Sequence, residues 1–244
     1  MHFYIQHQSM RCVAVIDLKE GLVVHAVRGD RANYGPVRSR LTASAAPADV
    51  VAALRDRLGL TAFYVADLDA IQQRGSSRAI VAGLIASHPD CSWWIDAGFN
   101  APSALEDYLM APGAACVVGS ECIREVTDYV ALRAALPDPA RAILSLDRRQ
   151  GQFLGPAALW QQEALWPRTV IAMNLDRVGA DQGPDLPLIA RLKARAPAAR
   201  IVAAGGVRDR ADLAALAAAG ASHVLVASAL HAGRLVREDL AGYA

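Results

Sequence analysis

The strongest constraint on this sequence is a regular alternation of short apolar runs with Ala- and Leu-rich stretches. The runs predict β-strands and the stretches predict helices, an alternation typical of a parallel sheet. Eight such strands close a (β/α)8 TIM barrel, and 244 residues is close to the roughly 250 typical of that fold. The predicted strands are Cys12 to Asp17, Phe63 to Asp67, Trp93 to Ala97, Cys116 to Gly119, Ala142 to Asp147, Val170 to Asn174, Ile201 to Ala204 and His223 to Ala227.

An open, doubly wound sheet is the alternative architecture for the same alternation. Its nucleotide-binding form carries G-x-G-x-x-G after the first strand, whereas Asp17 is followed by Leu-Lys-Glu-Gly. We therefore predict a single barrel domain over residues 11–244, preceded by a short N-terminal extension over residues 1–10.

The two halves of the chain repeat one another, which indicates a barrel built from two duplicated half-barrels. An offset of 107 residues relates Asp67-Leu68-Asp69 to Asn174-Leu175-Asp176, and an offset of 130 relates Asp17 to Asp147. Ala-rich helices could resemble one another by chance, but matching polar residues at strand ends are harder to obtain that way. The repeat predicts a pseudo-twofold site, with one Asp and one glycine-rich anion pocket from each half.

Composition narrows the possible partners and the compartment. The net charge is +1, which favours a small substrate over nucleic acid or an anionic membrane surface. No stretch has 18 consecutive apolar residues, and the first ten residues lack the apolar run of a signal peptide. Cys12, Cys91, Cys116 and Cys122 occur singly, which favours buried free thiols over disulfides or metal ligands. We expect a cytoplasmic protein that is a monomer or a small homo-oligomer.

Two acidic residues end apolar strands at equivalent positions of the two halves. Active sites of such barrels lie at the carboxyl ends of the strands, where Asp17 follows Val-Ala-Val-Ile and Asp147 follows Ile-Leu-Ser-Leu. Desolvation there raises the pKa of a carboxyl group towards values useful for proton transfer. Capping of the following turns, or pairing with Lys19 or Arg148, is the structural alternative. Their symmetric placement favours a catalytic pair.

A glycine pair follows the seventh strand. Gly205 and Gly206 precede a predicted helix, a setting in which backbone N–H groups bind phosphate. Ala227 and Ser228, after the last strand, would complete this pocket. A tight turn without a ligand is the alternative.

A related pocket in the first half would use Gly98, Gly119 and Ser120. Its prediction is weaker, because Phe99-Asn100 replaces the second glycine and Asp96 lies just ahead.

The loop from Arg28 to Arg40 is long and rich in arginine. It predicts a substrate lid in which Arg28 and other guanidinium groups clamp an anion, although arginine-rich surface loops are also common. His25 and Glu121 follow strand-end segments without partners at metal-ligand spacing, so no metal site is expected.

The motifs together resemble the HisA/HisF family of histidine-pathway isomerases and cyclases. The resemblance rests on Val15-Ile16-Asp17-Leu18-Lys19 with Arg28-Gly29-Asp30, on Asp67-Leu68-Asp69, on Ser145-Leu146-Asp147, and on Ala204-Gly205-Gly206-Val207. It extends from about residue 11 to residue 235 and implies the barrel fold. It also implies substrate contacts at Asp69 and Asn174.

The resemblance further implies an Amadori rearrangement of a phosphorylated aminoaldose. Asp147 would be the general acid that protonates the ring oxygen, and Asp17 the general base that removes the C2 proton. Two carboxylates suffice for successive proton transfers at different atoms, so no cofactor is expected.

Two departures from the family pattern leave the substrate open. The family's third-strand glycines are replaced by Asp96-Ala97-Gly98-Phe99, and its Thr after strand six by the stretch around Asn174. Both changes remove groups expected to bind a bis-phosphorylated substrate. The pattern is similar to HisA/HisF-related paralogues of archaea and methylotrophs, some encoded beside genes for one-carbon carrier cofactors (methanopterin or methanofuran). A cyclase with a glutaminase partner, and a barrel that has lost catalysis and serves as a binding or assembly subunit, are the remaining alternatives.

Overall fold

A computed structural model describes residues 10–105, 108 and 114–243. The predicted N-terminal extension lies outside these residues, apart from Met10, which is buried against the core.

Eight parallel strands form a closed barrel. Each strand pairs with the next in chain order, and the last pairs with the first through a register that sets Val13 opposite Leu225. This closure confirms the predicted barrel and excludes the open sheet. The strands are β1 (Arg11–Lys19), β2 (Ala62–Asp67), β3 (Ser92–Asp96), β4 (Ala114–Gly119), β5 (Ala142–Arg149), β6 (Thr169–Asn174), β7 (Arg200–Ala204) and β8 (His223–Val226).

Helices follow the strands on the outside of the barrel. Proline occupies the first turn of the longest helix, and Gly59, with a φ of 76°, ends it in the left-handed conformation. None of the helices in the described ranges has the length and apolar character that crossing a bilayer requires. The α-helices are α1 (Pro47–Leu58), α2 (Leu68–Ile71), α3 (Arg78–Ser87), α4 (Val126–Ala135), α5 (Ala157–Gln161), α6 (Leu186–Arg195), α7 (Arg210–Ala218), α8 (Ser228–His231) and α9 (Arg237–Leu240).

The apolar side chains form two layers because successive strand residues point to opposite faces of the sheet. Tyr64 and Ala66 belong to the cluster inside the barrel, whereas Phe63 and Val65 belong to the cluster between strands and helices. Phe63 is fully buried there and stacks on Trp93, with 4.9 Å between ring centroids. Both faces of the sheet are therefore covered, which explains why the strand sequences are almost continuously apolar.

All four cysteines are free thiols. Three are buried and Cys122 is half-buried, so the prediction of unpaired cysteines is confirmed.

Strands β1 and β5 end in the same local structure. Each turns back on itself in a short antiparallel hairpin, which pairs Leu18 with Val23 after β1 and Arg148 with Phe153 after β5. The 130-residue offset found in the sequence relates these pairs position by position.

The turn of each hairpin is held by a carboxylate that follows the next strand of the same half. The N–H of Glu20 donates to Asp69 at 2.8 Å, and the N–H of Gln150 donates to Asp176 at 2.7 Å. The 107-residue offset relates the two acceptors. These repeated contacts agree with what a duplication would produce, and the common origin of the halves stays a prediction.

We expect Asp69→Ala and Asp176→Ala to destabilise the protein by similar amounts, about 1 kcal/mol each, because each removes the acceptor of one turn N–H. Guanidinium unfolding followed by circular dichroism measures both. Asp90→Ala, which breaks only an exposed ion pair with Arg55, serves as the control and should cost less than about 0.5 kcal/mol. Losses no larger than that of the control would show that these contacts do not hold the hairpins.

Candidate active site

The carboxyl ends of the strands surround a cavity of about 110 Å³ that opens to solvent. Asp17 and Asp147 both line it. They belong to β1 and β5, which lie on opposite sides of an eight-stranded barrel. The structure thus brings the two predicted carboxyl groups into one shared cavity.

Asp147 is buried and held by three donors. The Ser145 hydroxyl donates to Oδ1 at 2.6 Å, while the Ser120 hydroxyl and the Glu121 N–H donate to Oδ2 at 3.2 and 3.1 Å. Burial and the negative charge of Glu121 together raise the pKa of Asp147 to about 7, against the opposing effect of the hydrogen bonds from Ser145 and the Glu121 N–H.

The Asp17 carboxyl group has no hydrogen-bond partner among the described residues, although it lies among charged groups. Burial raises the pKa of Asp17 to about 7, with Arg31 acting to lower it and Asp96 to raise it. Near neutral pH, Asp17 and Asp147 therefore exist in both protonation states, which suits groups that exchange protons with a substrate.

Asp96 is a third carboxyl group in the cavity and was not predicted as a site residue. It ends β3, accepts from the Tyr64 hydroxyl at 2.8 Å and from the Gly98 N–H at 3.1 Å, and is only 8% exposed. Burial raises the pKa of Asp96 to about 6 against both hydrogen bonds. The rule that selected Asp17 and Asp147, a polar residue at the end of an apolar strand, also applies to Asp96.

Arg31 is the guanidinium that reaches the cavity from the loop after β1. It forms an ion pair with Glu121, which follows β4, and both side chains are about one-fifth exposed. Arg28 is instead exposed, and its backbone N–H donates to the Val178 carbonyl at 2.8 Å. The anion clamp by Arg28 stays a prediction, whereas Arg31 from the same loop lines the cavity.

The glycine pair after β7 forms a tight turn at one end of the cavity. Gly205 and Gly206 have φ values of 95° and 89°, and a Cβ at Gly206 would lie 2.2 Å from the Gly183 carbonyl oxygen. Only glycine can adopt this geometry.

This turn also exposes backbone donors to the cavity. Gly206, Val207, Ala227 and Ser228 line it. In the described part of the chain, the N–H groups of Gly206, Val207 and Ser228 meet no hydrogen-bond acceptor. Free backbone donors are therefore available among the lining residues, and the phosphate pocket itself stays a prediction.

The region of the first half that corresponds to the Gly206 turn differs in its hydrogen-bond donors. The Gly98 N–H is occupied by Asp96, and the Ser120 hydroxyl is occupied by Asp147. A Cβ at Gly119 would lie 3.3 Å from Oδ2 of Asp147 and 3.8 Å from Oδ2 of Asp96. This geometry opposes the anion pocket expected from Gly98, Gly119 and Ser120, because its donors are taken and carboxylates surround it.

Asp69 and Asn174 lie outside the residues that line the cavity and hold loops instead. Asp69 caps the hairpin after β1, as described above. The Asn174 side chain donates to Asp185 at 2.8 Å and accepts from the Asp176 N–H at 3.2 Å. Their role in this structure is to position the rim of the barrel.

Across residues 10–105, 108 and 114–243, no group of three or more His, Cys, Asp or Glu side chains is arranged to hold an ion.

Comparisons with known proteins agree with the resemblance in the motifs. The model of a family described as histidine biosynthesis protein matches residues 11–236. Relatives from Xylella fastidiosa and Thermus thermophilus, named as isomerases of a doubly phosphoribosylated imidazole-4-carboxamide, are each 28% identical over 92% and 93% of this chain and 86% and 96% of their own. An uncharacterized protein of Methanocaldococcus jannaschii is 25% identical over 95% of this chain and 97% of its own.

We expect the raised pKa of Asp17 to make stability depend on pH. The folded state keeps a proton that the unfolded chain releases near its ordinary pKa of 3.8, so this contribution is full below that pH and is lost as pH rises through about 7. Asp17→Asn has no such proton. Its stability relative to the wild type should therefore rise by on the order of 2 kcal/mol between about pH 5 and about pH 8. Denaturant unfolding at both pH values measures this difference, and an unchanged difference would contradict the raised pKa.

Proposed function

This chain belongs to the histidine biosynthesis protein family, and we propose that it is an acid/base isomerase that converts a phosphorylated aminoaldose into an aminoketose. The observation that carries the proposal is the pair Asp17 and Asp147, two carboxyl groups with pKa values raised to about 7 in one cavity. The names of the related isomerases support the reaction type.

The reaction needs two proton transfers at different atoms. In the proposed sequence, Asp147 protonates the ring oxygen of the aminoaldose, and the ring opens to a Schiff base. Asp17 then removes the proton at C2 to give an enaminol, which becomes the aminoketose. Because the two groups belong to opposite sides of the barrel, each can reach a different atom of one bound substrate.

Other residues of the cavity support this order of proton transfers. Hydrogen bonds from Ser145, Ser120 and the Glu121 N–H fix the orientation of the Asp147 carboxyl group. The free N–H groups of the Gly206 turn and of Ser228 are the proposed phosphate anchor. They would bind the substrate through its phosphate, at a distance from the atoms that react. Binding energy from such a remote group can be used to position the substrate.

A barrel that serves only as a binding subunit is less well supported. Burying Asp96 and Asp147 beside the half-buried Asp17 costs free energy that a purely structural role does not require, and raised pKa values of this kind are typical of catalytic sites.

We expect Asp17→Asn and Asp147→Asn to lower turnover by about a thousandfold while a phosphorylated ligand still binds, because each amide keeps the shape of the carboxyl group but cannot exchange its proton. The assay follows deuterium incorporation at C2 of an N-alkylated ribosylamine phosphate in heavy water by NMR. Asp176→Asn, which alters a carboxylate outside the cavity, is the matched control and should keep turnover within a fewfold. Full exchange by either active-site variant would refute the mechanism.

The pathway is tested by complementation of a histidine auxotroph that lacks the isomerase. We expect no growth without histidine, because carboxylates occupy the first-half end of the cavity, where a second phosphate would need donors. The Thermus thermophilus relative, expressed in the same strain, is the positive control. Growth supported by this chain would assign the histidine intermediate as its substrate and remove the argument for a related one.

A further inference from the structure

The cavity has two ends of opposite electrostatic character. Five carboxyl groups line the cavity among the described residues, and four of them, those of Asp17, Asp96, Glu121 and Asp147, lie with the single lining guanidinium, that of Arg31. The fifth, Asp181, belongs to the other end. Arg31 is already paired with Glu121. The three aspartates therefore share an end of the cavity without a cation of their own.

The opposite end is rich in donors and positive charge. Ser228, Gly179 and Asp181 belong both to the main cavity and to a neighbouring one, so the two are contiguous. The neighbouring cavity is also lined by His25, Arg38, Arg40, His231 and Arg234.

The positive charge of this neighbouring cavity is only partly neutralised. Arg234 is paired with Asp181, at 2.6 and 2.8 Å, whereas Arg38 and Arg40 form no ion pair within the described ranges. This end of the site adds long-range attraction for an anion to the free N–H groups of the Gly206 turn.

The aspartate end is built to receive donors. Asp96 is fixed by Tyr64 and Gly98 and Asp147 by two serines and a backbone N–H, so both carboxyl groups keep their positions without a ligand. Buried charges of one sign are stabilised when a charge of opposite sign is brought among them. A phosphate at the same place would meet repulsion and find its nearest donors occupied.

We propose that the substrate carries one phosphate, bound at the Gly206 and Ser228 end, and a protonated amine or similar cationic group, bound among Asp17, Asp96 and Asp147. This inference rests on the proposed function and specifies its substrate class: a zwitterionic monophosphate rather than a bisphosphate. Asp96 is the specificity-determining residue, because it adds a carboxylate to the two that carry the proton transfers.

The test uses three ligands that share one carbon chain and one phosphate and differ at the other end: aminohexyl phosphate, hydroxyhexyl phosphate and hexanediol bisphosphate. Isothermal titration calorimetry at neutral pH gives the Kd of each for the full chain. The amine should bind about tenfold more tightly than the alcohol, and the bisphosphate should bind more weakly than the alcohol. The alcohol controls for hydrogen bonding by an uncharged donor.

Asp96→Asn should reduce the preference for the amine to less than about threefold and leave the affinity for the alcohol unchanged. Asp176→Asn should keep the wild-type preference, and circular dichroism checks that both variants fold. Equal affinity for amine and alcohol, or tightest binding of the bisphosphate, would overturn this inference and leave the isomerase proposal standing. Binding by none of the three, and none by inorganic phosphate, would overturn both this inference and the proposed phosphate anchor.

Discussion

The withdrawal of three carboxyl groups from water is the constraint on which the site depends. A closed barrel fills its interior with side chains, and the active sites of such barrels lie in the cavity at the carboxyl ends of the strands. Asp17, Asp96 and Asp147 lie at that boundary, and burial is the largest cause of the raised pKa of each. Their mutual repulsion adds to it, since Asp96 acts on both of the others. Groups that would be permanently ionised in water thereby gain the capacity to exchange protons near neutral pH.

The barrel fold could be predicted well from the sequence because it follows from local periodicity. All eight strands were placed within a few residues, since buried parallel strands are short apolar runs between helical stretches. Asp17 and Asp147 were found because a lone carboxyl group at the end of such a run is a local signal. Asp96 carries the same signal, but its position before Gly98 was interpreted only as a defect in an anion pocket.

Features that depend on contacts between distant loops could not be predicted in this way. The loop after β1 contains several arginines, and its contacts with other loops distinguish them: the Arg28 N–H donates to the Val178 carbonyl after β6, and Arg31 pairs with Glu121 in the cavity. Likewise, the glycines of the two halves look equivalent in sequence. In the structure the Gly98 N–H is taken by a carboxylate, whereas the Gly206 N–H meets no acceptor among the described residues. The two halves therefore present different chemistry on the same scaffold.

The central claim is that Asp17 and Asp147 titrate near neutral pH. Carbon-13 NMR of protein labelled at the aspartate carboxyl carbons measures this directly, with Asp17→Asn and Asp147→Asn used to assign the signals. We expect titration midpoints for both residues at a pH of about 7. Midpoints near the ordinary aspartate pKa of 3.8 would show that both groups are simple solvated anions, and would rule out the proposed proton transfers.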